Sequence, residues 1–91
     1  KPPLIRTTPN YPSRALQRGL EGFVELSLTV DRFGSVIDPA VINALPEGIL
    51  DRAALQATSS WKYFPAMNNG HANEAYDVRH RIVFQMDPSS R

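Results

Sequence analysis

Few residues in this 91-residue chain have the types and spacing that chemistry needs. Ser59-x-x-Lys62 has the pattern in which a lysine activates a serine hydroxyl. In penicillin-binding enzymes that pair works with further motifs on a far larger fold, whereas here it falls at a helix end. His71 and His80 lack metal-ligand spacing to each other or to a helical carboxylate, so no metal site is expected. Asp31, Asp38, Glu47 and Asp51 are scattered over turns and a helix start, where turn formation and dipole compensation account for them. No glycine-rich phosphate loop is present. The residues therefore point away from an enzyme and from a bound cofactor. A small α+β hydrolase is the alternative, and it needs a concave site with converging polar groups that no motif supplies.

Composition narrows the rest. The chain is 42% hydrophobic and 21% charged, which suits one globular domain with a modest core. A formal net charge of +1 argues against nucleic acid as partner, because such binders carry a clear basic excess. There is no cysteine, hence no disulfide framework. No apolar run approaches a membrane span, and no signal peptide is visible. The start at Lys1 reads as a fragment, with any targeting or anchoring segment expected upstream.

The elements follow from hydrophobic periodicity. Lys1-Pro2-Pro3 reads as the end of a proline-rich, extended spacer, so residues 1–8 are expected to be spacer and N-terminal arm. Each proline in Thr8-Pro9-Asn10-Tyr11-Pro12 holds its predecessor extended. A short helix is expected from Pro12 to Arg18, with Ala15 and Leu16 inward and Gly19 as its stop. Tyr11 either packs on the sheet or presents a surface. From Gly22 to Asp31 the apolar residues Val24, Leu26, Leu28 and Val30 alternate with Phe23, Glu25, Ser27 and Thr29, the pattern of a central strand with one buried face. Asp31-Arg32-Phe33-Gly34 turns the chain into a second strand, Ser35 to Ala44, whose apolar members are Val36, Val41 and Ile42. Pro39 confines this strand to an edge or a bulge.

The main helix is expected from Ile49 or Leu50 to Ser60. Leu50, Ala54, Ala57, Thr58 and Trp61 share one of its faces, bordered by Leu55. Trp61, Tyr63 and Phe64 form either a ligand platform or core, and the apolar face assigns Trp61 to the core. Asn68-Asn69-Gly70 marks a turn. In the last strand, Tyr76, Val78, His80, Ile82, Phe84 and Met86 alternate with Asp77, Arg79, Arg81, Val83 and Gln85. Asp87 to Arg91 is expected to be a flexible tail. A hairpin followed by a right-handed crossover gives a three-stranded sheet of order 2-1-3, antiparallel in type, with two helices on one face. The fold class is an α+β two-layer sandwich.

This topology leaves the last strand at an edge. It contains no proline and offers free backbone groups, as strand addition by an extended peptide requires. A helix, the N-terminal arm or a second copy of the chain, giving a homodimer, would be the competing cover. Arg79 and Arg81 also suit gatekeeping against aggregation.

Tyr11-Pro12-x-x-Ala15-x-x-x-Gly19-Leu20-Glu21-Gly22-x-Val24 resembles the opening of the TonB C-terminal domain. Asp31-x-x-Gly34-x-Val36 continues the likeness. Leu50-Asp51-x-Ala53-Ala54-Leu55-x-Ala57 and Trp61-x-Tyr63-x-Pro65-Ala66 resemble the family's helix and its aromatic end, and Ile82-x-Phe84 the close of its last strand. The likeness runs from Pro9 to Met86.

The resemblance implies a periplasmic domain of a protein anchored in the bacterial inner membrane. It implies as partners a TonB-dependent outer-membrane transporter, held by its TonB box peptide, and ExbB and ExbD, reached through segments outside this chain. The partner-binding residues it implies are Tyr76, Asp77, Val78, Arg79, His80, Arg81, Ile82, Val83, Phe84 and Gln85 of the last strand, with Thr8, Pro9, Asn10, Tyr11 and Pro12. Thr8 stands where familiar members have glutamine, and Arg79-His80-Arg81 is more charged than usual, which favours an acidic partner segment or a dedicated transporter. The TolA C-terminal domain, an envelope scaffold, shares the architecture and is the rival within this class.

Overall fold

The computed structural model describes residues 3–86. Lys1-Pro2 of the expected spacer and the expected tail at Asp87–Arg91 lie outside the described residues. In chain order the elements are helix α1 (Ser13–Gln17), strands β1 (Gly22–Val30) and β2 (Val36–Leu45), helix α2 (Asp51–Ser59), and strands β3 (Ala66–Asn68), β4 (His71–Asn73) and β5 (Ala75–Phe84). The main sheet has the order β2-β1-β5, with β1 antiparallel to both neighbours. This is the expected α+β arrangement, β5 being the third strand of the 2-1-3 order.

The alternation in β1 works as expected. Val24, Leu26, Leu28 and Val30 are buried, and the residues between them are only half-buried. Their face is covered by Ala15 of α1 and by Leu50, Ala53, Ala54 and Trp61 on and around α2, which join them in one hydrophobic cluster. Thr58, buried on the same helix, donates its hydroxyl back to the Ala54 carbonyl at 3.0 Å, so a polar group enters the core already satisfied. Leu16, expected inward, is exposed; a helix of five residues buries one narrow stripe, and Ala15 occupies it.

β2 is the irregular edge. Ile42 is an extra residue against the Glu25–Leu26 step, and a second extra residue falls between Ile37 and Ala40, beside Pro39. Asp38 there has φ of 48°. Ile42, one of the strand's apolar members, falls at the first bulge and is 46% exposed.

The β1–β2 turn is held by Asp31. Its carboxylate accepts from the N–H groups of Phe33 and Ser35, both at 2.9 Å, and its carbonyl accepts from Gly34 N–H at 3.0 Å. Gly34, with φ of 87°, closes the turn in a left-handed conformation. Gly34 C=O accepts from Tyr63 N–H at 2.9 Å, tying the turn to the chain after α2.

The turn at Asn69-Gly70 proves to be a hairpin of its own. Both residues have positive φ, at 52° and 79°, as a two-residue type I′ loop requires. It joins β3 to β4, which among the described residues pair only with each other. All six residues of this pair are exposed, so no alternation in the sequence announced the strands.

Candidate functional site

The last strand is an edge. β5 pairs with β1 on one side, and among the described residues no strand pairs with its other side. Which of its backbone groups point outward follows from the turn at the far end of β1. Asp31 N–H donates to the Ser35 carbonyl at 2.8 Å, so the Asp31 backbone faces β2. Backbone groups alternate sides residue by residue along an antiparallel strand. Every extra residue in the two ladders falls in β2 or β5, so the alternation along β1 is unbroken. Gly22, Val24, Leu26 and Leu28 therefore face β5, opposite Phe84, Ile82, His80 and Val78. Met86, of the same parity, donates its N–H to the Glu21 carboxylate at 2.7 Å, back on the β1 side. The outward backbone groups thus belong to Arg79, Arg81 and Val83.

The side chains of β5 divide accordingly. Val78, His80, Ile82 and Phe84 lie on the helix side, and Arg79, Arg81 and Val83 on the open face of the sheet. Tyr76 breaks the expected alternation. An irregularity between Val78 and Ala75, with Asp77 at φ of 54°, inserts one residue. Ala75 takes the inward position and Tyr76 is exposed, its hydroxyl donating to Glu74. Gln85 and Met86 lie beyond the end of the strand.

On the open face Asp77 accepts from Arg79 at 2.6 Å and from the Ser27 hydroxyl at 2.7 Å. These two hydrogen bonds, the Arg79 one the stronger influence, hold the Asp77 carboxyl below its ordinary pKa. The Arg81 guanidinium sits 4.0 Å from the centre of the Phe23 ring.

On the helix side the N-terminal arm packs against the segment that follows α2. Ile5 and Lys62 exchange backbone hydrogen bonds of 3.0 and 2.9 Å. Arg6 lies over the Trp61 ring, and the Thr7 carbonyl accepts from the Trp61 indole N–H at 2.9 Å. His80 meets the same indole edge to face. Burial, reinforced by the nearby Arg6 charge, holds its imidazole below the ordinary pKa.

Farther along, Tyr11 is half-buried. It meets Phe84 edge to face at 5.5 Å and donates its hydroxyl to the Leu20 carbonyl. This resolves Tyr11 as a packing residue, while Thr8 and Asn10 are exposed and Pro9 and Pro12 half-buried beside it. The two candidate segments, Thr8 to Pro12 and β5, are thereby brought together at Phe84.

The aromatic end of α2 splits. Trp61 and Tyr63 are core, whereas Phe64 is 73% exposed. Sequence reasoning missed what surrounds Phe64. Val30, Tyr63, Phe64, Pro65, Ala66, Met67, Ala75 and Val78 line an apolar cleft of about 570 Å³ beside the start of β5. The consecutive aromatics were the available signal, but the cleft needs the β3–β4 hairpin as its second wall.

The residues spaced for chemistry do not assemble. Ser59 donates its hydroxyl to the Gln56 carbonyl at 2.7 Å, and Lys62 donates to the Ser35 hydroxyl. Among the described residues no three His, Asp or Glu side chains gather as metal ligands. No described helix is long and apolar enough to cross a membrane.

Comparison with known proteins agrees with this geometry. The family model described as Gram-negative bacterial TonB protein C-terminal matches residues 7–86. A curated TonB of Pseudomonas aeruginosa is 34% identical over 68 residues, covering 75% of this chain but only 20% of that protein, so the chain spans a fifth of that relative's length. The solution structure of the Pseudomonas aeruginosa TonB C-terminal domain superposes with a TM-score of 0.74 at 30% identity, covering 94% of this chain and 86% of that one. A TonB2 structure from Vibrio anguillarum gives a TM-score of 0.70 at 42% identity, covering 96% and 82% of the two chains. With the match extending over nearly all the described residues, the chain belongs to the family of Gram-negative bacterial TonB C-terminal domains, a non-enzymatic family.

Proposed function

We propose that this chain is the periplasmic, transporter-gripping domain of an inner-membrane-anchored energy transducer. It takes an extended TonB box peptide of an outer-membrane transporter as an added strand on β5. Force reaches it from the proton-motive complex of ExbB and ExbD through segments outside this chain.

The observation that carries the reading is the difference between the two sheet edges. β2 is bulged twice and holds Pro39, which cannot donate to a ladder. β5 has no proline, and the outward backbone groups of Arg79, Arg81 and Val83 alternate as an incoming strand needs. The Thr8 to Pro12 segment, packed against Phe84 through Tyr11, flanks the same element and offers Thr8 and Asn10 as further contacts.

Binding of an isolated peptide is expected to be weak. A short added strand contributes about five backbone hydrogen bonds of ~1 kcal/mol each net. Association costs at least ~4 kcal/mol, so side-chain contacts must supply most of the remainder and affinity is expected at about micromolar or weaker. Reversible release suits a transducer.

The test is an NMR titration of the chain with transporter N-terminal peptides containing a TonB box. The expected result is slowed hydrogen exchange at the amides of Arg79, Arg81 and Val83. Protection confined to Thr8–Pro12, or protection of the same amides by a second copy of the chain without peptide, would overturn strand addition as the gripping mode.

A further inference from the structure

We propose that the apolar cleft beside β5 is the specificity pocket of this edge, taking one apolar side chain of the strand that pairs there. The inference rests on the strand-addition reading above and adds a chemical requirement on the partner.

The geometry follows from register. Val78 is the last regular residue of β5 before the irregularity, and its backbone points inward to Leu28. A strand added to the outer edge places one residue opposite Val78, in a pair without mutual hydrogen bonds. Side chains approach most closely in such pairs, with Cβ atoms about 4.5–5.5 Å apart on the same face. Whether the new strand runs parallel or antiparallel, this side chain stands beside Val78 on the helix side. Val78 is one wall of the cleft, and Tyr63, Phe64, Pro65 and Met67 form the others. The residues opposite Arg79 and Arg81 fall on the open face and never reach it.

The rim of the cleft is unfinished. Phe64 and Met67, which line it, are 73% and 65% exposed. Large apolar side chains gathered on a rim mark a binding surface more often than they mark idle exposure. An apolar side chain entering from the added strand would cover the rim. The fitting partner is thus an extended segment with a leucine, isoleucine, valine or phenylalanine opposite Val78.

The probe is a library of random decapeptides selected on the chain and counter-selected on its Arg81→Pro variant, which keeps the internal ladder but loses an outward N–H. Selected peptides are expected to carry one apolar residue that shows intermolecular contacts to Met67 and Val78 by NMR. Changing that residue to alanine is expected to weaken binding about 5- to 20-fold, the usual effect of removing a buried aliphatic side chain. In the Phe64→Ala/Met67→Ala variant, whose changes fall on exposed positions, the same peptide change is expected to have less than half that effect. If selected peptides pair with β5 yet tolerate alanine opposite Val78, the pocket is refuted while strand addition stands. If no peptide distinguishes the chain from Arg81→Pro, both fall.

Discussion

The imidazole of His80 and the indole of Trp61 meet edge to face, their centroids 4.7 Å apart and their planes at 84°. The contact joins the edge strand to the end of α2 on the buried side of the sheet. The same indole is capped by Arg6 and donates to the Thr7 carbonyl, so helix, edge strand and N-terminal arm converge on one ring.

Trp61 has no solvent exposure. Trp61→Ala is expected to destabilise the domain by about 3–5 kcal/mol, the range for a buried large aromatic. Denaturant unfolding checks this, and a loss under about 1 kcal/mol would contradict the central role of the ring.

His80 makes stability pH-dependent. Its folded-state pKa is depressed, by burial first and by Arg6 second, so the unfolded chain binds its proton more readily. Its contribution is complete above the ordinary histidine pKa of about 6.5 and is lost as pH falls through the folded value. Thermal melting from pH 7.5 downward is expected to show Tm falling below about pH 6.5. The slope is expected to diminish in His80→Gln.

Proline is expected to act on β5 with a period of two. At Val78, His80 or Ile82 it removes an inward N–H and strands a β1 carbonyl, which costs about 1–3 kcal/mol before any strain. At Arg79, Arg81 or Val83 it removes no internal bond and is expected to leave the fold with peptide pairing abolished. Melting and peptide titration of the six variants check both sets. Binding retained by folded Arg79→Pro and Arg81→Pro would move the contact to Thr8–Pro12.

Gly34 is irreplaceable on two counts. A Cβ there would lie 2.1 Å from the Tyr63 carbonyl oxygen, and the backbone has φ of 87°. Gly34→Ala is expected to cost well over ~1 kcal/mol, because the native conformation is closed to a side chain. Chemical denaturation measures it, with the loosened Tyr63 visible as a change in tyrosine fluorescence.

Local pattern alone determined a great deal here. The unbroken alternation of β1 specifies a half-buried central strand, because a period of two sends every second side chain to the same face. The apolar face from Leu50 to Trp61 specifies the helix that covers it. Pro39 demotes β2 to an irregular edge through its missing donor. The family likeness was also legible, since turn glycines, aromatics and alanines recur at spacings that the fold demands.

Other features were decided only by the tertiary structure. Tyr76 changes face because of one inserted residue at Asp77, and a bulge leaves no mark on hydrophobic periodicity. The same holds for the bulge at Ile42 in β2. Tyr11 became a packing residue only when Phe84, far along the chain, came within reach of its ring. The outward set of β5 needed the Asp31–Ser35 hydrogen bond, in the turn at the far end of the neighbouring strand, because side-chain pattern does not encode which way the backbone donors point in the sheet plane. The cleft at Phe64 needed the β3–β4 hairpin, whose exposed strands carry no alternation to read. A sequence specifies the faces of its elements through local periodicity; the meeting of those faces depends on long-range contacts, and the edge and pocket of this domain belong to that second kind.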